Sequence, residues 1–381
     1  MDREEMHRLT AIGLMAGTSL DGVDVAVLRT DGETVHKWGP AMSFPYDAPT
    51  RATIISATKA ALEGREEAND IAVAGNMVTS AHIEAVRNFL SETGLRRDEI
   101  DVIGFHGQTI LHRPPLDASS IGRTWQIGGG GIIAEELGID VVDQFRQADM
   151  AAGGEGAPFA PIYHAALVEA CEFDGAVAVL NLGGVANITY VPADRDPMGL
   201  VAFDCGPGNG LIDEWMVRHT GHHMDEDGAL AASGSVDDEV LRMMALNPYL
   251  KRKAPKSLDR YDFKLKAADH LSPPDGAATL TAFSAECVAR SVALLPEAPA
   301  YWVACGGGRH NPVLMAELGR RLEGQVLVAE EAGWRGDMIE AEAFAYLAVR
   351  SLRKLPLSFP KTTRVPQPLS GGSYHRKPVN L

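Results

Sequence analysis

Along the 381 residues, short apolar runs alternate with glycine-punctuated turns and with longer segments of helical spacing. Thr10–Met15 and Val23–Leu28 are β-type runs on either side of the turn Ala16-Gly17-Thr18-Ser19-Leu20-Asp21-Gly22, and a third strand is predicted at Thr34–Trp38. Thr50–Glu63 and Glu66–Thr93 read as helices, the second with Ile71, Val78, Ile83, Val86 and Leu90 at core-facing spacing. A buried strand at Ile100–Phe105 ends in His106-Gly107-Gln108-Thr109. Thr124–Ile127 and Ile139–Val142 are further strands around a helix at Ile132–Leu137, and the helical Ala160–Cys171 closes this part of the chain.

The second half repeats the same grammar. Ala178–Leu182 and Val185–Val191 meet at Gly183–Gly184, which predicts a hairpin whose glycines supply the positive φ of a primed turn. The apolar run through Phe203 ends at Asp204 and enters Gly206-Pro207-Gly208-Asn209, ahead of helical Leu211–Arg218. Helices follow at Val236–Leu246 and Asp275–Leu295. Then come the strand Tyr301–Cys305, the turn Gly306-Gly307-Gly308, the helix Pro312–Leu322, the strand Gln325–Val328 and the helix Asp337–Leu352. A strand–glycine turn–strand unit in corresponding places of both halves signals internal duplication. The expected fold is α/β, with lobes at residues 1–173 and 174–355 and an irregular tail at 356–381.

Composition narrows the class. With 45% hydrophobic and 23% charged residues the chain reads as a soluble globular protein. A formal net charge of −16 argues against a nucleic-acid backbone or an anionic membrane surface as partner. No secretory signal and no apolar stretch near the ~20 residues of a membrane helix is present, so a cytoplasmic location is expected. Cys171, Cys205, Cys287 and Cys305 form no CxxC pair and read as reduced and mostly buried.

Asp204 is the first candidate for chemistry. A carboxylate at a strand end can act as a base, and a glycine loop opening a helix favours an anion. Its alternative role is support of the turn. Thr18, Ser19 and Asp21 offer hydroxyls and a carboxylate in the first hairpin. Asp143–Pro158, with one Arg and several carboxylates among glycines, reads as a functional or surface loop rather than core. His222, His223, Asp225, Glu226 and Asp227 lack a coordination spacing and read as a solvated loop. Lys251–Phe263 is basic and turn-like. There is no GxxxxGK[ST] loop and no HRD or DFG motif, which excludes the lysine-bearing phosphate loop and the protein kinases.

Seven segments taken together, GLMAGTSLDGVDVAV, GFHGQTI, TWQIG, DVVDQFRQADMAAGGEGAPFAPIYH, VLNLGGVANIT, FDCGPGN and CGGGRHNPVLM, resemble the 1,6-anhydro-N-acetylmuramate kinase family from about Ile12 to Arg350. The resemblance implies two related lobes of the sugar-kinase, actin and heat-shock ATPase type with a nucleotide cleft between lobes. It implies ATP and Mg²⁺ as cofactors, a small amino-sugar as substrate, and recycling of cell-wall peptidoglycan as the context; a homodimer is allowed by it. The segment Ala16, Gly17, Thr18, Ser19, Leu20, Asp21, Gly22, Val23 matches the first phosphate-binding element, and Gly183 with Gly184 the second. Gly306 and Gly307 match the stretch that lies against adenosine. Asp204 matches the family's catalytic base, and Glu340 a Glu that helps hold water or Mg²⁺. Gln108, Thr109, Arg146 and Asp149 match the sugar side. Two departures stand out: Ala16 replaces a Ser of the phosphate hairpin, and the family's K-S-T-G-R-E reads Lys256-Ser257-Leu258-Asp259-Arg260-Tyr261. Another small-molecule kinase of this fold, or a nucleotide-dependent regulator without catalysis, is the alternative reading.

Overall fold

The computed structural model describes residues 8–115, 120, 122–258 and 262–378. The chain forms two compact units, Met1–Ala166 with Met338–Leu381, and Leu167–Asp337. In the first unit β1 (Leu9–Ala16), β2 (Gly22–Thr30) and β3 (Val35–Pro45) form an antiparallel meander, followed by helices α1 (Ala48–Leu62) and α2 (Asn69–Thr93). Asp47 caps α1 by accepting from Thr50 N at 2.7 Å, and Gly94 ends α2 in the left-handed conformation. β4 (Val102–Arg113) then runs parallel to β1, and its distal half pairs with β5 (Arg123–Ile127). Helix α3 (Gly130–Leu137) leads to β6 (Asp140–Asp143), parallel to β4, and α4 (Gln147–Ala151) and α5 (Pro161–Glu169) follow.

The second unit repeats this order. β7 (Val177–Leu182), β8 (Val185–Val191) and β9 (Val201–Pro207) are an antiparallel meander, and α6 (Gly210–Thr220), α7 (Ala229–Ala232), α8 (Asp238–Met244) and α9 (Pro273–Ser291) intervene before the next strand. β10 (Tyr301–Cys305) lies parallel to β7, and after α10 (Pro312–Arg321) β11 (Gln325–Val328) lies parallel to β10. The strand orders β3-β2-β1-β4-β6 and β9-β8-β7-β10-β11 are therefore the same, with the same strand directions. Two related α/β lobes, expected from the repeated turn pattern, are what the chain builds.

After Asp337 the chain returns to the first unit through α11 (Ile339–Leu352), α12 (Pro360–Thr363) and β12 (Ser373–His375). This differs from the lobe boundary at 355 read from the sequence, and the reason is steric. Gly13 of β1 and Gly104 of β4 are in register, and α11 crosses the sheet over them. A Cβ on Gly13 would lie 1.8 Å from Ala341 O, and one on Gly104 would lie 2.0 Å from Phe344 O. The helix backbone thus rests directly on the sheet, which no side chain at either position permits. The tail is likewise not irregular throughout: β12 extends the sheet antiparallel to β6, and His375 Nε2 meets Asp143 Oδ1 at 2.8 Å.

β4 also runs eight residues past its expected end at Phe105, so His106 and Gln108 are buried within a strand rather than set on a polar loop. Partner exchange explains this: β1 and β6 pair with the first half of β4, and β5 takes over from Gln108 onward.

The glycine groove under α11 sets the first prediction. Gly104→Ala should lower unfolding free energy by at least about 1–3 kcal/mol through overpacking. By contrast Gly75→Ala in α2, where a Cβ meets nothing within 4 Å, should raise it by about 0.5–1 kcal/mol. Urea denaturation of the two variants beside the parent reads both signs.

Candidate active site

Candidate residues fall into two groups, one in each unit. In the second unit the last β7–β8 pair is Leu182 with Ala186, which leaves three residues, Gly183, Gly184 and Val185, between the paired positions of the hairpin. Neither Gly183 nor Gly184 has a positive φ, so the expected primed turn is not the one formed; a longer loop does not need it. What glycine serves here is close approach. Gly183 O accepts from Asn209 N at 2.7 Å, and Gly184 O accepts from Gly208 N and Gly210 N, both at 3.1 Å. A Cβ on Gly208 would lie 2.1 Å from Gly183 O, and one on Gly210 would lie 2.6 Å from Gly184 O. The hairpin is therefore bonded, backbone to backbone, onto the loop that begins α6. Gly184 itself is exposed, and a Cβ there would meet nothing within 4 Å.

Around that junction the other predicted residues assemble. Asp204 is half-buried in β9, and its Oδ2 accepts from Leu258 N at 2.8 Å. Gly306, at φ +73°, ends β10, where a Cβ would lie 2.3 Å from Asn181 Oδ1. Gly307 beside it is exposed and open. Cys205 is fully buried, and burial pushes its thiol far above the usual range, so it is no nucleophile. Asp225 of the His-rich loop binds Leu230 N at 2.8 Å and Ala231 N at 3.0 Å, a turn-forming role. Asp259, Arg260 and Tyr261 of the departed family segment lie outside the described residues.

In the first unit Thr18, Ser19 and Asp21 are exposed at the tip of the β1–β2 hairpin, while Ala16 and Val23 anchor it in the core. Leu20 adopts a φ of 61°, and its N–H bonds Gly17 O at 3.3 Å. Gln108, fully buried, donates from Nε2 to Gly17 O at 3.1 Å. It braces the turn from below. Gly22 is required by neighbouring chain: a Cβ there would lie 2.2 Å from Phe44 O of β3. Thr109 accepts from Gln126 Nε2 at 3.2 Å.

Arg146 donates to His106 Nε2 at 3.0 Å and to Gly156 O at 3.0 Å. Burial and the adjacent guanidinium hold the His106 imidazole well below its ordinary pKa, so it is neutral and accepts. Burial draws Arg146 itself down to about 10, with the charges of Glu340 and Asp149 acting the other way. Glu340, at the start of α11, keeps part of its surface exposed, while desolvation of its carboxyl raises it above the usual range; Arg146 opposes that rise, and Asp24 adds to it. Arg146, Glu340 and Asp24 thus form one electrostatically coupled set.

Asp149 is placed differently. It is buried, and its carboxylate accepts from Gly156 N at 2.7 Å and from Thr363 Oγ1 at 2.6 Å. Its two oxygens tie the glycine loop to α12. Asp143 and Glu155 are buried as well, whereas Gln147 and Ala151–Gly153 are exposed, so the Asp143–Pro158 segment is a surface loop with its carboxylates turned inward. Its glycines explain this: a Cβ on Gly154 would lie 2.1 Å from Asp149 Oδ1, so the loop wraps its own carboxylate.

The sequence profile of the anhydro-N-acetylmuramic acid kinase family matches residues 9–377. The chain belongs to that family. Its curated relatives include the anhydro-N-acetylmuramic acid kinase of Rhizorhabdus wittichii, 49% identical over 373 residues that cover 97% of this chain and 100% of that protein. Another is the Caulobacter vibrioides protein of the same name, 49% identical over 364 residues covering 95% and 97% of the two chains. Among solved structures, component A of (R)-2-hydroxyglutaryl-CoA dehydratase from Acidaminococcus fermentans matches at 12% identity and a TM-score of 0.46, covering 91% of this chain and 100% of that one. As a member of the kinase family the protein is a phosphotransferase with an alcohol group as acceptor.

Tyr249, Lys256 and Leu258 surround Asp204; the basic stretch Lys251–Phe263 contained the last two, whereas Tyr249 carried no readable signal. Asp24 was detectable as the one charged position inside the apolar run Val23–Leu28.

Two substitutions separate roles within these groups. Gly184→Val should leave the fold intact, because the site is open, yet weaken nucleotide binding at least tenfold, which calorimetry with an ATP analogue measures. Asp149→Ala should instead lower stability by about 1–3 kcal/mol, since it strands two buried donors; thermal unfolding reads this directly.

Proposed function

We propose that the protein opens 1,6-anhydro-N-acetylmuramate with water and phosphorylates the freed O6 from ATP, giving N-acetylmuramate 6-phosphate and ADP. Asp204 takes a proton from water as the water oxygen bonds to C1. The C1–O6 bond breaks, and O6 then displaces ADP from the γ-phosphorus. The observation that carries this reading is the placement of Asp204 beside a glycine loop whose backbone is bonded to an exposed, side-chain-free hairpin. A base so placed is worth about 10²–10⁴ in rate, or roughly 3–5 kcal/mol.

The remaining parts act by position and charge, which phosphoryl transfer chiefly demands. In the first unit the hydroxyls of Thr18 and Ser19 are exposed to meet phosphate oxygens; in the second unit the open backbone at Gly184 would admit a phosphate, and Gly307 leaves room for a flat ring. Gln108 holds the first hairpin in shape. Arg146, kept charged but partly desolvated, faces the sugar with Thr109. Among the described residues no group of three His, Cys, Asp or Glu could cage a metal. That suits Mg²⁺, which in kinases is held largely by substrate phosphates and water with one or two carboxylates. Glu340, water-accessible beside Asp24, is the carboxylate that would hold it, and the bound ion would offset charge on the phosphate oxygens. No described helix is long and apolar enough to cross a membrane. We place the reaction in the cytoplasm, the compartment that supplies ATP.

Incubation with MgATP and the anhydro-sugar in ¹⁸O-water is the test. Label at C1 of a phosphorylated product is expected; an unlabelled phosphorylated sugar would show a simple kinase of the same fold instead. Asp204→Asn should fold normally, bind ATP as the parent does, and lose at least about two orders of magnitude in turnover. More than roughly a tenth of parental turnover would remove Asp204 as the base.

A further inference from the structure

We propose that Tyr249 and Lys256 are positioning residues that hold the main chain of Asp204 and so aim its carboxylate. This rests on the reading of Asp204 as the base. β9 is the edge strand of its sheet, so the outward N–H and C=O groups of its residues find no strand partner. Buried backbone groups in that position need other partners. At Asp204 both come from one segment: Asp204 N donates to Lys256 O at 2.9 Å, and Tyr249 Oη donates to Asp204 O at 2.7 Å. The same segment supplies Leu258 N to the carboxylate. Asp204 is thus gripped at its amide, its carbonyl and its side chain.

The strand needs that grip at this residue. Asn187 of β8 pairs with Asp204, but the preceding Ala186 pairs with Gly206, which leaves Cys205 as an extra residue on β9. A bulge bends its strand and re-aims the neighbouring side chains, while interrupting the ladder that would otherwise fix them. The segment from Tyr249 to Leu258 braces the outward edge of the strand beside the bulge.

Lys256 in turn fixes Tyr249. Its Nζ donates to Tyr249 O at 3.3 Å and lies 4.5 Å from the centroid of the Tyr249 ring and 5.8 Å from that of Phe203. Both residues are buried, Lys256 to 4% and Tyr249 to 1% of their exposable surface. Burying an ammonium is unfavourable unless it makes specific interactions. Here the interactions it makes are with the ring and carbonyl of the residue whose hydroxyl restrains the base. Lys256 therefore contributes twice, through its carbonyl to the Asp204 amide and through its side chain to Tyr249.

The test compares Tyr249→Phe, Lys256→Met and Asp204→Asn with Tyr190→Phe, which removes a 3.0 Å tyrosine hydrogen bond to Glu297 elsewhere in the same unit. Steady-state kinetics with MgATP and the anhydro-sugar give kcat and both KM values, and thermal unfolding gives stability. Tyr249→Phe should lower kcat about tenfold to a hundredfold, as small misplacements of a reacting group do, with both KM values within twofold of the parent. Lys256→Met should do the same, and Tyr190→Phe should keep parental kcat. Parental kcat in folded Tyr249→Phe, or an equal loss in Tyr190→Phe, would overturn the positioning role while leaving the base in place. A rise in either KM at constant kcat would overturn it too, by making the segment a binding element. Near-parental turnover in Asp204→Asn would instead overturn the base assignment, and the positioning role with it.

Discussion

The contact between α11 and the first sheet is the constraint on which the rest of that unit depends. Two glycines in register on adjacent parallel strands leave a strip without side chains, and a helix backbone occupies it. Interiors are packed too densely for such a contact to be approximate. Ala341 O and Phe344 O sit where β-carbons would be, so helix and sheet have one mutual placement. That placement carries Glu340, on the first turn of α11, to the neighbourhood of Asp24 on β2 and of Arg146. A cluster of charged side chains is thereby assembled from segments more than three hundred residues apart in the chain.

The second unit uses the same device for a different end. There the close approach joins a hairpin to a loop, with Gly208 and Gly210 under the carbonyls of Gly183 and Gly184. Ser284 of α9 adds a hydroxyl bond to Gly208 O at 2.7 Å, and a Cβ on Gly206 would lie 2.6 Å from Cys287 Cβ. Loop, hairpin and helix are locked together at the end of the strand that carries Asp204. At this junction Gly184 and Gly307 are open, so packing does not require their lack of a side chain as it does at Gly208 and Gly210.

Electrostatics follows burial more than net charge. A chain with a formal charge of −16 can still serve an anionic nucleotide, because backbone dipoles and single desolvated cations act locally. Neutral His106 spends its acceptor nitrogen on Arg146, which leaves the guanidinium charged but constrained. Asp149, which the family resemblance sets on the sugar side, is consumed by two internal donors.

The sequence by itself determined the duplicated α/β plan, the family, and the stretches where chemistry gathers. These are encoded in local features: alternation of apolar residues, glycine runs, and short motifs in order. Asp204, the two hairpins and the Gly306–Gly307 turn were all legible in that way. Tertiary structure alone decided which residues in those stretches are free to act. Whether Asp149 meets a ligand or a neighbouring N–H, whether Gly22 serves a phosphate or a strand, and which unit the last forty residues join all depend on distances between segments remote in sequence. The grip of Tyr249 and Lys256 on Asp204 belongs to the same class. Periodicity reports which face of an element is buried, but not what that face is buried against, and at a site the partner is what matters.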